Sequence, residues 1–155
     1  MDIQHIDWVN SVNLCEQLAA SISHRPDTIV GLSRGGLVSA RILADFLQIR
    51  HIFVLGISLY DGIDKKGKKP KIIQTLPSSA IKGKKVLLVD DVADSGLSLA
   101  LAKEYLLKKG ASELKIATIH YKPGSIIKPD YFVSTTQAWI VYPWEVHEFE
   151  KDKNK

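Results

Sequence analysis

Three carboxylates, two hydroxyls and a glycine fall within nine residues of this chain: Asp90, Asp91, Asp94, Ser95, Gly96 and Ser98, in the run DDVADSGLS. Ionised carboxylates only accept hydrogen bonds, so they suit sugar hydroxyls and hard cations such as Mg²⁺. Two serine hydroxyls and a glycine that lets the backbone come close suit a phosphate. The acidic half would repel that phosphate unless a divalent cation or sugar hydroxyls lay between. A ligand with all these parts is a sugar phosphate with free hydroxyls, a cation and a second anionic group. A second chemical group lies upstream, in Ser33-Arg34-Gly35-Gly36. Its glycines expose backbone N–H groups, and Arg34 offers a planar guanidinium fork for phosphate.

These residues need elements to hold them. Val86, Leu87, Leu88 and Val89 form a short apolar run rich in β-branched residues, as in a strand buried on both faces of a parallel sheet. Asp90 and Asp91 stand where that strand ends. Leu97 to Leu107 reads as a helix, with Lys108 and Lys109 favouring its C-terminus and Gly110 ending it. The first N–H groups of a helix lack internal partners, so strand, polar turn and helix start together make an anion site. Thr28 to Leu32 and a helix from about Leu37 to Leu47 repeat that arrangement around Ser33-Arg34-Gly35-Gly36. Asp7 can cap a helix from about Trp8 to Ile22, whose Val12, Cys15, Leu18, Ala19 and Ile22 recur at helical spacing. Arg50 to Leu59 and Lys71 to Leu76 read as strands on either side of DKKGKKPK, and Leu114 to Tyr121 as another. Lys122 then stands at a strand's carboxyl end, where ligands bind in open α/β folds. Strands alternating with helices indicate an α/β protein.

Each feature has a plainer reading too. The acids can be solvated on a βα turn, SRGG can be only a turn, Lys122 only exposed, and the lysine run a solvated hairpin tip. Trp8 reads as a packing anchor, His120 as strand packing, and His5 and His24 as surface residues. The chain has 155 residues, 45% of them hydrophobic and 25% charged, which fits one soluble domain with a real core. No apolar run reaches the roughly 18 residues of a membrane span, and MDIQHIDWVN lacks the pattern of a secretory signal. Cys15 is the single cysteine, read as a buried structural thiol in a reducing cytoplasm. The net charge of +4 favours anionic ligands. The lysine run lacks the interleaved aromatics and arginines of a nucleic-acid surface. Neither nucleic acid nor membrane is therefore expected as a partner.

The stretch VLLVDDVADSGLS resembles the phosphoribosyl-pyrophosphate signature of type I phosphoribosyltransferases, with Leu97 where many members carry a second glycine. SRGG resembles the family's pyrophosphate loop. Ser58-Leu59-Tyr60-Asp61 resembles the start of the flexible catalytic loop in bacterial xanthine–guanine members, and TTQAWIVYPWE resembles their hood. The likeness spans roughly Ile29 to Glu145. It implies a mainly parallel sheet flanked by helices, as one domain over residues 1–155, with a lid hairpin at about 61–75 and a small C-terminal hood at about 128–147. It implies a non-proline cis peptide near Leu32, Ser33 and Arg34. It places phosphoribosyl pyrophosphate on Ser33, Arg34, Gly35, Asp90, Asp91, Val92, Ala93, Asp94, Ser95, Gly96, Leu97 and Ser98, with Asp91 near Mg²⁺. Lys122, Trp139 and Ile140 would bind the purine, Asp94 would be the catalytic base, and Trp144 and Pro143 would hold the hood together. The implied function is Mg²⁺-dependent purine salvage with guanine, xanthine or hypoxanthine, in a cytoplasmic homodimer or homotetramer. Two rivals use other chemistry. A non-catalytic regulator could sense phosphoribosyl pyrophosphate with this fold, though 155 residues leave no obvious room for a nucleic-acid-binding module. A receiver-like domain also clusters acids at strand ends, but would have no use for SRGG, Lys122 or the tryptophan hood.

Overall fold

The computed structural model describes residues 2–61 and 68–153. In chain order the elements are β1 (Ile3–His5), α1 (Trp8–Ser21), β2 (Thr28–Ser33), α2 (Gly36–Phe46), β3 (Ile52–Asp61), β4 (Lys68–Gln74), a 3-10 turn (Ser78–Ala80), β5 (Lys85–Ala93), α3 (Leu97–Lys108), β6 (Glu113–Tyr121), β7 (Tyr131–Thr135), β8 (Trp139–Val141) and α4 (Val146–Lys153). The main sheet has the order β4-β3-β2-β5-β6-β7. All its neighbours run parallel except the β3–β4 hairpin.

Burial explains why β5 lies at the centre. Val86, Leu87, Leu88 and Val89 have no exposed surface. Successive strand residues point to opposite faces. Leu87 and Val89 therefore pack with Cys15 and Leu18 of α1 and Leu43 of α2, while Val86 and Leu88 pack with Leu99, Ala102 and Leu106 of α3. An alternating pattern could not serve two apolar layers, and the continuous apolar run does. Asp7 caps α1 as expected, its Oδ1 accepting from the Asn10 N–H at 2.7 Å. Burial pushes the Cys15 thiol up to about 12, which leaves it a packing residue.

The connections diverge at one place. From β2 the chain passes through α2 to β3 on one side, and from β5 through α3 to β6 on the other. The neighbouring carboxyl ends of β2 and β5 thus flank the switch point, where open α/β sheets form a ligand crevice.

Three expectations shift. Residues Tyr131–Thr135, assigned to the hood, extend the main sheet as an edge strand beside β6. The hood strand β8 instead pairs with β1 from the other end of the chain. Three residues carry too little periodicity for β1 to be seen in the sequence. His24 is not a surface residue. Its ring stacks on Tyr131, Nδ1 lies 3.2 Å from the Tyr131 hydroxyl, and Nε2 lies 3.9 Å from Glu113. The sheet brings β6 and β7 beside it. Trp8 packs on Trp144 at 5.8 Å between ring centroids yet stays 55% exposed. Residues 62–67, the tip of the expected lid, lie outside the described residues. Among the described residues no helix is long and apolar enough to cross a membrane.

Candidate active site

Between the ends of β2 and β5 opens a cleft of about 510 Å³, lined by Ser33, Arg34 and Gly35, by Asp90, Asp91, Asp94, Ser95, Gly96 and Ser98, and by Ile57, Leu59 and Ile73 of the hairpin. Both loops singled out by their chemistry therefore face one space. The Ser33–Arg34 peptide is cis, as the family resemblance implied. The two glycines after it are spaces rather than hinges. A Cβ on Gly36 would collide with the Val89 carbonyl oxygen, and one on Gly35 would stand 2.7 Å from the Asp91 carboxyl carbon. The first loop lies directly against the end of β5.

The second loop is built differently. Gly96 takes the left-handed conformation at φ 79°, and a Cβ there would stand 2.8 Å from the Ile127 nitrogen. Ser95 accepts from the Ile126 N–H, and Ala93 accepts from the Lys122 N–H, both at 3.0 Å. Residues 122–127 thus brace the loop from outside. Leu97 and Ser98 open α3, so their N–H groups lie at the helix start beside the Ser95 hydroxyl. Leucine at position 97 occupies the first helical turn, and the left-handed residue is Gly96.

The acid pair lies on the cleft floor. Asp91 is 6% exposed. Its Oδ1 accepts from the Val92 N–H at 2.8 Å, and its Oδ2 from the Trp144 indole N–H at 3.3 Å. Asp90 Oδ1 accepts from the Asp91 N–H at 3.0 Å. Desolvation, then repulsion from Asp91, holds the Asp90 carboxyl well above the usual carboxylate range. Desolvation also raises Asp91, against the pull of its hydrogen bonds. Glu145, which no sequence signal singled out, lines the same cleft and is raised by desolvation and by Asp91.

Asp90, Asp91 and Glu145 thus line one cleft in which desolvation opposes the charge of each. No group of three metal-type ligands occurs among the described residues. Mg²⁺ does not need one, since it is held by one or two carboxylates and completes its shell with water and substrate phosphate. Asp90 and Asp91 fit that pattern.

The base-facing residues also meet. Lys122 is 14% exposed, and its Nζ stands 3.2 Å from Asp94 Oδ1. The same Nζ lies 5.6 Å from the Trp139 ring centroid. Trp139 is 45% exposed, while Ile140 is buried in β8 opposite Gln4 of β1. Arg34 stands at the rim of the cleft rather than on its floor. It is 80% exposed, and its Nη2 lies 2.8 Å from both carboxylate oxygens of Glu148 on α4.

Behind the acids runs a buried chain. His120 Nδ1 lies 2.7 Å from the Tyr142 hydroxyl, which donates to the Asp91 carbonyl oxygen at 3.0 Å. With the tyrosine proton committed to Asp91, His120 is the donor. Burial pushes the imidazole down to about 4, so it is neutral at physiological pH. His120 is strand packing with a bonded ring nitrogen. Tyr142, Trp144, Glu145 and Glu148 escaped the sequence as site residues. The aromatic density of WIVYPWE was visible there, but its partners on β5 were not.

Two glycine-bearing helix starts and an acid floor meet at the switch point of a doubly wound sheet, the place where open α/β proteins bind ligands. The phosphoribosyl transferase domain model matches residues 6–150, and the chain belongs to that family. It is 28% identical to xanthine phosphoribosyltransferase 1 of Saccharomyces cerevisiae, over 95% of this chain and 91% of that protein. It is 31% identical to the xanthine-guanine phosphoribosyltransferase of Idiomarina loihiensis, over 77% and 71% respectively. The crystal structure of a purine phosphoribosyltransferase from Pyrococcus horikoshii superposes with a TM-score of 0.86 at 38% identity, covering 93% of this chain and 95% of that one.

Proposed function

We propose that this protein moves the 5-phosphoribosyl group of phosphoribosyl pyrophosphate onto a 6-oxopurine, namely guanine, xanthine or hypoxanthine, in purine salvage. The bond from the anomeric carbon to pyrophosphate breaks, the bond to purine N9 forms, and the purine loses a proton. The observation that carries this reading is the Lys122–Asp94 pair beside Trp139. One donor and one acceptor stand side by side there. A 6-oxopurine protonated on N7 offers the matching acceptor and donor on one edge. An ammonium has donors only, so the 6-amino group of adenine faces it wrongly.

In this reading Asp94 takes the purine proton and stabilises the positive charge that builds on the ribose. Asp90 and Asp91 hold the ribose hydroxyls. Ser95, Gly96 and Ser98, with the backbone from Val92 through Leu97, hold the 5′-phosphate. Ser33, Arg34 and Gly35 take the pyrophosphate, with Arg34 exchanging Glu148 for it. Asp91 would hold Mg²⁺, directly or through water, and the ion would supply positive charge against the leaving group. Trp139 stacks on the base, and the Ile140 carbonyl accepts from a 2-amino group. Positioning and charge supply the rate enhancement. The whole of residues 1–155 acts as one domain, residues 61–75 as a lid, and the assembly as a cytoplasmic homodimer or homotetramer. The supporting names are those of purine phosphoribosyltransferases; nothing observed favours a non-catalytic sensor.

The test is a panel of bases with phosphoribosyl pyrophosphate and Mg²⁺, scored by nucleotide formed. At least one 6-oxopurine should turn over and adenine hardly at all. Adenine as best substrate would sink the assignment.

A further inference from the structure

We infer that Trp144 is a positioning residue for Asp91, through which the hood holds the ribose-and-cation end of the cleft. The inference rests on the proposed reading of the cleft as a phosphoribosyl-pyrophosphate site.

Asp91 is held on every side, and only one of its partners is local. Val92 donates to Oδ1 from the next residue. The Trp144 indole donates to Oδ2, and the Tyr142 hydroxyl donates to the main-chain carbonyl. Gly35 closes the remaining side, where any side chain would strike the carboxylate. Tyr142 has no exposed surface, and its ring lies on that of Trp144 at 4.8 Å and 6° between planes. His120, itself 2% exposed, fixes the Tyr142 hydroxyl from below. Two stacked rings thus present two donors to one aspartate, and a buried imidazole sets the second donor's direction.

This arrangement points the Asp91 carboxylate, because one oxygen accepts from an indole that is itself stacked on Tyr142. A carboxylate that meets a cation or sugar hydroxyls needs that fixed direction. Outer partners of this kind commonly matter to metal binding by a factor of ten or more. The hood strand carrying Trp139 leads directly into Tyr142 and Trp144. The proposed base site and the proposed ribose site therefore share one rigid piece.

Trp144→Phe keeps an aromatic ring against Tyr142 and removes the N–H. The measurement is calorimetric binding of phosphoribosyl pyrophosphate at a series of fixed Mg²⁺ concentrations, beside the melting temperature and the KM for the base. Binding should weaken about tenfold, or about 1.4 kcal/mol. Half-saturation in Mg²⁺ should move to higher concentration, while the melting temperature and base KM hold. In an Asp91→Ala background the same change should add almost nothing, because the effect runs through that carboxylate. Tyr142→Phe, which loses only a hydroxyl, should weaken binding in the same direction and carries the test if Trp144→Phe does not fold. Unchanged binding in the variants, or a full further loss in Asp91→Ala, would overturn the inference. So would a drop in melting temperature with phosphoribosyl-pyrophosphate affinity intact. Failure of the unaltered protein to bind phosphoribosyl pyrophosphate with Mg²⁺ is a different result: it overturns the reading of the cleft, and the inference with it.

Discussion

The junction from β2 to α2 and the junction from β5 to α3 look alike as patterns, each a strand, a glycine-bearing turn and a helix start. They are held in opposite ways. The first is pressed against its neighbouring strand, with Gly35 and Gly36 leaving no room for a side chain before β5. The second turns on one left-handed glycine and is braced by residues 122–127. Their charges differ as well. The first carries Arg34, exposed and paired with Glu148, and the second carries three aspartates in or beside the cleft. Helix starts alone would make two equivalent anion sites. The side chains make them unequal, one carrying a guanidinium and the other three carboxylates and two hydroxyls.

The largest effect should come from Gly36→Ala, which drives a methyl into the backbone of β5. Overpacking of that kind costs about 1–3 kcal/mol. The substitution should also abolish phosphoribosyl-pyrophosphate binding by parting the two junctions. Denaturant unfolding and calorimetry read both, and a variant that binds normally would show that close approach does not set the first junction.

Asp94→Asn should lower kcat by roughly a hundredfold, the low end for loss of a general base. Phosphoribosyl pyrophosphate should still bind, and weakly acidic hypoxanthine should suffer more than xanthine. Lost ligand binding would move Asp94 into the sugar-phosphate half of the second junction. Lys122→Ala should raise the KM for the base about tenfold, the size of one hydrogen bond involving a charged group. Affinity for phosphoribosyl pyrophosphate should barely move; equal loss of both would misplace the lysine.

The acid floor makes a pH prediction for the ligand-free protein. The Asp90 carboxyl lies well above the usual range because of desolvation and Asp91. The native state then takes up its proton before the unfolded chain does. The Asp90 contribution to stability must therefore rise as pH falls from neutrality, and be lost as pH rises through the raised value. Asp90→Asn should remove that slope and be more stable than the parent at neutral pH, while binding phosphoribosyl pyrophosphate poorly. Equal pH slopes in parent and variant would show that burial does not raise the Asp90 carboxyl. The smallest effect belongs to Ser39, on α2 behind the first junction, whose buried hydroxyl has no hydrogen-bond partner. Ser39→Ala should stabilise the fold by about 1 kcal/mol or less and leave ligand binding untouched.

Local order along the chain determined much of this protein. The apolar run of β5, the acids at its end, the glycine and hydroxyls around the start of α3, and the parallel run of β2, loop and α2 are all decided within a dozen residues. Backbone sterics and side-chain periodicity act over that distance, so both strand–turn–helix junctions and the α/β class were legible. Tertiary structure alone decided what those junctions touch. Trp144 meets Asp91 across 53 residues and Arg34 meets Glu148 across 114. β1 reaches β8 from the opposite end of the chain, and Lys122 comes to Asp94 because β6 lies beside β5. Such pairings depend on strand order and on which face each helix covers. No local periodicity encodes either one, because the hydrophobic core rewards burial without regard to which strand supplies it.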